Sequence, residues 1–393
     1  MSANETPMPD SIVSRDTNTN RGAWRRIRIL VLVATLLGAL FLLKPVWQGY
    51  EAVLLLADVV GQPLPAWLDL RPQATRRLVT YERGTRTYHA DIYLPNAAVQ
   101  AGIVFVAGAA EHGKDDPRVI AFSTSLARSR FAVLVPDVVA LRELRLLPET
   151  EQDIADALDR LFVQSELAHG GRVGVLTTSV ALGPAVLALL KPELSSRVDF
   201  VVAIGGYHDL PRTLGYLTTG RYEAHGVTLQ RPPKEYGKWV YALSNAVRLD
   251  DPRERAAFET LARRKFIDPQ ADVGAELERL GPVGNRVYQF IVNTDPARSE
   301  ALLEQLPKQL RDDVERLNLA AHDLSAVRAQ FILVHGAGDD MIPYGESISL
   351  AKALPAGQAE LFVLSDLEHV DLTPKLREAW QLWRAIYAVL TQR

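Results

Sequence analysis

Short apolar runs separated by helical segments recur along residues 77–393, and this alternation restricts the possible folds more than any other feature of the chain. A strand that is apolar at every position is usually buried on both faces. Between two such runs, Glu151–Leu167 has apolar residues at helical spacing. The pattern predicts an α/β domain, in which helices cover both faces of a mostly parallel sheet. The predicted buried strands are Ile103–Ala107, Ala132–Val135, Val173–Thr177, Phe200–Ile204 and Phe331–Val334.

Two parts of the domain over 77–393 depart from this alternation. Arg77–Glu82 and Thr87–Leu94 flank a turn that contains glycine, and they predict a hairpin at the start of the domain. Residues 207–328 are charged and largely helical, without a clear strand, and a structureless loop of that length does not belong in a compact domain. We therefore expect a helical cap there. Its amphipathic segments are Arg253–Phe266, Val273–Leu280 and Ala297–Leu319.

The N-terminal part predicts a membrane anchor. Residues 1–26 are mostly polar and predict a disordered cytoplasmic tail. Residues 27–47 contain an uncharged run, Ile29–Leu43, which snorkelling by Arg28 and Lys44 extends to the length of a transmembrane helix. The excess of arginine before the run predicts export of the following domain to the periplasmic or extracellular side. A cleaved signal peptide and a buried helix are the alternatives.

Residues 48–76 are expected to form a juxtamembrane linker. Their apolar stretch, Ala52–Val60, is too short and too close to charged residues to span a bilayer. It predicts either a helix packed on the domain or a segment that docks on the membrane surface.

Composition excludes several classes of function. The formal net charge is −3, from 44 basic and 47 acidic residues, so a nucleic-acid role, which needs a concentrated basic face, is not expected. There is no cysteine, which rules out disulfides, thiolate metal sites and cysteine nucleophiles. The charged segments 111–116 and 250–254 are interpreted as a solvated loop and a helix start, and neither a metal nor a cofactor is expected.

A serine stands between a predicted strand and a predicted helix. The segment is Thr177-Thr178-Ser179-Val180-Ala181, in which Ser179 follows the apolar run from Val173. A nucleophile elbow holds its serine in a strained turn and needs small residues two positions to either side. Ala181 satisfies this condition and Thr177 is bulkier than usual. The alternative is an ordinary serine that caps the helix beginning at Val180.

Two further strand ends carry an acid and a histidine. After Phe331–Val334, the residues from His335 to Pro343 read H-G-x-x-D-x-x-x-P, and after Leu361–Leu364 comes a loop that contains His369. The first of these segments is similar to the acid-bearing loop of the α/β-hydrolase superfamily, and the second resembles its histidine loop. The resemblance covers roughly Arg77–Arg393, without support for the cap.

The resemblance implies a serine esterase or lipase-like enzyme. It implies Ser179 as nucleophile, His369 as general base and Asp339 as the acid that orients the histidine, in the chain order of this superfamily. It also implies an oxyanion hole formed by the backbone N–H of Val180 and that of Ala109, or of Ala110. The alternative interpretation of the loop near Ala109 is a tight turn that requires small residues, and His112 is given no role.

The leading hypothesis is therefore a membrane-anchored hydrolase of esters or related small-molecule or lipid-like acyl substrates. The departure from glycine at Thr177 and Ala181 leaves a second hypothesis, a catalytically inactive hydrolase-fold protein that acts as a membrane-tethered scaffold. A transacylase or peptidase would use the same three residues, and the sequence does not separate it from an esterase.

Overall fold

A computed structural model describes Arg28 and residues 43–164, 171–365 and 376–393. The chain divides into two compact units, 1–50 and 51–393. The described residues of the smaller unit, Arg28 and 43–50, are helical.

The larger unit is built on an eight-stranded sheet with the order β1-β2-β4-β3-β5-β6-β9-β10. β2 is antiparallel to both β1 and β4, and every other neighbouring pair is parallel, so only β2 runs against the rest. The prediction of a mostly parallel sheet is confirmed. The strands are β1 Ala74–Arg83, β2 Arg86–Pro95, β3 Ala101–Val106, β4 Phe131–Pro136, β5 Arg172–Thr178, β6 Phe200–Ile204, β9 Gln330–Gly336 and β10 Ala359–Leu364.

Helices cover both faces of this sheet in the described part of the chain. The longer ones are α1 (43–59, of which 51–59 belong to the larger unit), α2 Pro117–Arg128, α3 Thr150–Val163, α4 Leu182–Leu189, α5 Leu210–Thr219, α6 Glu235–Ala246, α7 Pro252–Ile267, α8 Pro282–Ile291, α9 Lys308–Leu317, α10 Gly345–Ala353 and α11 Leu376–Leu390. Short helices lie at Val139–Arg142, Pro192–Ser195, Gly274–Leu277 and Ser299–Glu304.

The core lies in two layers because side chains of a strand alternate between its faces. On β3, Val104 and Val106 join the layer that contains α3 and α4, whereas Ile103 and Phe105 join the layer that contains α2 and α11. Leu55 of α1 lies in the second layer. Burial on both faces explains why β3 and β4 are apolar at almost every position.

The insertion at 207–328 lies between β6 and β9 and contains helices α5 to α9. The expectation that it has no strand is wrong, because Arg221–Ala224 (β7) and Val227–Gln230 (β8) form an antiparallel hairpin. Its turn is His225-Gly226, both at positive φ, which suits a tight hairpin turn. The expected segment Ala297–Leu319 is divided into two helices before Pro307, since proline lacks the N–H that would continue a helix.

The N-terminal boundaries also differ from those expected. The linker over 48–76 is helical to residue 59, and the sheet begins at Ala74, three residues before the expected start at Arg77. Of the predicted span over 27–47, the structure describes only Arg28 and residues 43–47. Among the helices that the structure describes, none combines the length and the apolar character required to cross a bilayer.

Candidate active site

Ser179 lies at the tip of the turn between β5 and α4, and it is half-buried. Its φ is +54°, a left-handed conformation that L-residues rarely adopt and that costs about 1–3 kcal/mol. The preceding residue, Thr178, is extended, and a short 3₁₀ turn, Ser179–Ala181, leads into α4. An ordinary capping serine is extended, so the backbone of Ser179 departs from the capping alternative.

Thr177 lies two residues before Ser179 and Ala181 two residues after it, and both are fully buried. Thr177 pairs with Val106 on one side and with Ala203 on the other. The bulkier threonine is therefore accommodated inside the sheet without removing the left-handed turn.

The loop after β3 contacts the turn at Ser179. The N–H of Gly108 donates a hydrogen bond of 2.8 Å to Thr178 Oγ1. A Cβ added at Gly108 would lie 2.9 Å from the Thr178 carbonyl oxygen and 3.0 Å from Ser179 Cβ, so only glycine permits this approach. This role of Gly108 is not among the expectations from the sequence, although glycine directly after a buried strand is a signal for close backbone approach.

Backbone donors are available beside the serine. Among the residues that the structure describes, the N–H groups of Ala109, Ala110 and Val180 have no hydrogen-bond acceptor. Ala109 is the residue after Gly108, and Val180 is the residue after Ser179. Unpaired N–H groups near a serine could stabilise an oxyanion.

Asp339 lies in the loop after β9 and is only 3% exposed. Its Oδ1 accepts hydrogen bonds from the N–H groups of Met341 (2.8 Å) and Ile342 (2.9 Å). These two bonds hold the carboxylate in a fixed orientation. Asp340, in contrast, has a buried Oδ1 without a hydrogen-bond partner among the described residues.

His335 is buried near the end of β9, beside the loop that contains Asp339. Its Nε2 is 2.8 Å from the Ile342 carbonyl oxygen and 3.3 Å from Asp339 Oδ2. Its Nδ1 is 2.7 Å from Ser347 Oγ. An Nε2–H tautomer satisfies all three contacts, because Nε2 donates and Nδ1 accepts from the serine hydroxyl. In the sequence, His335 indicates only the spacing to Asp339, and its contacts with Ile342 and Ser347 appear only in the structure.

Ser179 and Asp339 lie at the same edge of the sheet, with β6 between their strands. Two strand spacings amount to about 10 Å, so the two residues do not touch directly. At the end of β6, Gly205 has φ +68°, and a Cβ there would lie 3.3 Å from Asp339 Oδ2. His369 follows β10, the neighbour of β9, and lies outside the described residues.

Comparison with known proteins yields fold similarity. No family model matches the chain, and no curated protein matches it. A Legionella pneumophila protein described as a hydrolase is 16% identical, with a TM-score of 0.55, over 86% of this chain and 94% of that one. The chain has the α/β-hydrolase fold.

Two further solved structures are more distant. Est1E from Butyrivibrio proteoclasticus is 12% identical, with a TM-score of 0.44, over 80% of this chain and 98% of that one. An acylaminoacyl peptidase from Pyrococcus horikoshii is 11% identical, with a TM-score of 0.46, over 81% of this chain. The match spans 41% of that peptidase, about two fifths of its length.

In this hydrolase fold the cap also contacts the acid loop. Arg231 donates to the carbonyl oxygen of Ala337 at 2.5 Å, and the N–H of Lys234 donates to that of Asp340 at 2.9 Å. Burial raises the pKa of Tyr216 in α5; Arg231 opposes this effect and Asp339 adds to it, so the phenol stays protonated at neutral pH. These cap residues could not be found from the sequence, because no local pattern connects them to a loop a hundred residues away.

The charged segments 111–116 and 250–254 each contain a residue that caps a helix. Asp116 caps α2 by accepting from the N–H of Arg118, and Asp251 caps α7 by accepting from that of Arg253. Within the described residues no cluster of three or more histidine, aspartate or glutamate side chains is arranged to hold a metal ion.

Proposed function

We propose that this protein is a serine hydrolase that cleaves carboxylic esters or related acyl compounds. The observation that carries the proposal is the left-handed backbone of Ser179 at a turn between a buried strand and a helix, beside backbone N–H groups that have no acceptor among the described residues. Such strain at a serine is typical of a nucleophile, because it exposes the hydroxyl beyond the end of the sheet.

The proposed mechanism assigns one role to each group. His369 accepts the proton of Ser179 as Oγ attacks the substrate carbonyl carbon, and the carboxylate of Asp339 orients the imidazole and stabilises its charged form. The N–H of Val180 and that of Ala109 stabilise the oxyanion. The leaving group departs with the proton from His369, and water then hydrolyses the acyl-enzyme by the same route.

The test compares wild-type protein with Ser179→Ala and His369→Ala in the full-length, detergent-solubilised chain. We expect a fluorophosphonate probe to label the wild type on the peptide that contains Ser179. We expect Ser179→Ala to lose labelling and to lower p-nitrophenyl ester turnover by roughly 10⁴- to 10⁶-fold, since the nucleophile is removed.

Ser195→Ala is the matched control, because its exposed hydroxyl donates a hydrogen bond to the Pro192 carbonyl and has no other hydrogen-bond partner in the described part of the chain. It should keep both labelling and turnover. Absence of labelling in folded wild-type protein would favour the scaffold hypothesis, and labelling that persists in Ser179→Ala would place the nucleophile elsewhere.

A further inference from the structure

A cavity lies between the cap and two loops at the carboxyl edge of the sheet. Its volume is about 420 Å³, within the range of small-molecule sites. The loops are those after β3 and β4, and the cap contributes α6 and α7. In open α/β sheets, ligands bind beyond the carboxyl ends of the strands, which is where these loops lie.

Chain connectivity places this cavity close to Ser179. Glu111 in its wall is two residues beyond Ala109, so the two Cα atoms are within about 8 Å. Arg142 lines the cavity and also a second one of about 10 Å³, which Gly108 lines as well. Gly108 is the residue that touches the turn at Ser179.

Most of the cavity wall is charged. Six of its nine lining residues have acidic or basic side chains: Glu111, Arg142, Glu143, Arg145, Glu259 and Arg263. A long acyl chain in this cavity would have to strip water from these groups, which is costly without compensating hydrogen bonds. The wall is therefore unsuited to a lipid chain.

Of the three arginines in the wall, Arg142 and Arg145 have acidic partners, whereas Arg263 has none among the described residues. Arg142 donates to Asp137 at 2.9 Å, and Arg145 pairs with Glu143. Glu259 and Arg263 lie one turn apart on α7, a spacing at which they could pair. Neither of them has an ion pair in the described part of the chain.

The floor of the cavity is apolar and held rigidly. Leu144 is 3% exposed and has φ +60°, a strained conformation for a branched side chain. The buried hydroxyl of Ser244 in α6 donates to the Leu144 carbonyl at 2.6 Å and accepts from the Leu146 N–H at 3.1 Å. This bridge ties the loop after β4 to the cap and fixes the shape of the cavity.

We propose that this cavity binds a short peptide-like zwitterion, as part of the substrate of the hydrolase. The carboxylate pairs with Arg263, the ammonium group pairs with Glu259, and a small aliphatic side chain packs on Leu144. The inference rests on the proposed function for its role in catalysis, but the binding itself does not depend on turnover.

The test uses four forms of one dipeptide, alanyl-leucine: free, N-acetylated, C-amidated and capped at both ends. Each is measured as a competitive inhibitor of p-nitrophenyl acetate hydrolysis by the full-length protein. We expect the free dipeptide to bind most tightly, and removal of either charge to weaken inhibition roughly three- to tenfold. Added salt should reduce the difference, because the charges lie near solvent.

Two variants assign the charges. Arg263→Gln should remove the preference for the free acid over the amide, and Glu259→Gln the preference for the free amine over the acetylated form. Arg253→Gln is the control, since it removes an exposed arginine from the same helix outside the cavity. It should preserve both preferences.

Equal inhibition by all four forms, or preferences that survive in both variants, would overturn the inference. Calorimetric titration of the same dipeptides measures binding without turnover. Binding with the expected preferences in a protein that hydrolyses no ester would overturn the proposed function and keep the inference. Ester hydrolysis without these preferences would do the reverse.

Discussion

The strained backbone of Ser179 is maintained by its neighbours in the sheet. β5 is paired on both sides, with β3 and with β6, and α4, which follows the serine, is fully buried. The energy needed to hold one residue at φ +54° is small compared with the energy of packing these elements. The packing of β5 and α4 therefore imposes the strained conformation of Ser179.

Gly108 and Gly215 form a matched pair for testing the contact beside Ser179. In Gly108→Ala the new methyl group meets Thr178 and Ser179 at 3.0 Å or less, so we expect a displaced serine and a loss of roughly 10²-fold in ester turnover. Gly215 lies inside α5 with no atom within 4 Å of a new Cβ, so Gly215→Ala should stabilise the protein by about 0.5–1 kcal/mol. Steady-state kinetics and urea unfolding measure the two effects. Unchanged turnover in Gly108→Ala would contradict the proposed position of the nucleophile.

Asp339 and Asp340 test which carboxylate serves as the acid. Asp339→Asn keeps an oxygen for the N–H groups of Met341 and Ile342 but loses the charge that we propose orients His369. We expect turnover to fall roughly 10³- to 10⁴-fold. Asp340→Asn should retain most of the activity. The assignment is wrong if Asp340→Asn abolishes turnover of p-nitrophenyl acetate while Asp339→Asn preserves it.

At the scale of elements, the start of α2 predicts a pH dependence of stability. The guanidinium of Arg118, which bonds to both carboxylate oxygens of Asp116, lowers the pKa of this buried capping residue. A lowered pKa in the folded state contributes stability that is fully present above about pH 4 and is lost as the pH falls through the folded value.

Asp116→Asn keeps the cap and removes the charge, since asparagine caps helices as well as aspartate does. We expect the free energy of unfolding of the variant to lie below that of the wild type at pH 7 and to approach it at pH 3. Urea unfolding at both values measures the difference. Asp250→Asn, at an exposed position without an ion pair among the described residues, is the control. A gap that does not shrink at low pH would contradict the mechanism.

At the scale of the whole unit, a buried ion pair joins its first helix to its last residue. Glu51 is 1% exposed and pairs with Arg393, which also donates to the Ser129 carbonyl. Arg393→Gln would leave a buried carboxylate without its counter-ion, so we expect a loss of about 3–5 kcal/mol in the free energy of unfolding. The double variant Glu51→Gln/Arg393→Gln should be less destabilised than Arg393→Gln alone. If urea unfolding gave the same loss of unfolding free energy for Arg393→Gln and for the double variant, the unpaired charge of Glu51 would not be the cause of the destabilisation.

The membrane span over 27–47 and the export of the domain that follows it stay predictions, because the structure describes only Arg28 and residues 43–47 of that segment. Residues 43–47 begin a helix that ends at residue 59.

What the sequence determined by itself is local. Continuous apolar runs specify strands buried on both faces, so β3, β4, β5, β6, β9 and β10 could be predicted with nearly correct ends. Ser179 after β5 and Asp339 after β9 could be named as candidates, since the end of each apolar run indicates where a loop begins.

The tertiary structure decided which of these loops meet. Pairing of β3 with β5 brings Gly108, seventy residues away in sequence, against Thr178 and Ser179. No local pattern encodes such pairing, because strand order depends on the packing of all the helices at once. The hairpin in the cap could not be predicted either, because its four-residue strands are too short to show a periodicity. The cavity could not be predicted because its wall combines loops and cap helices from distant parts of the chain.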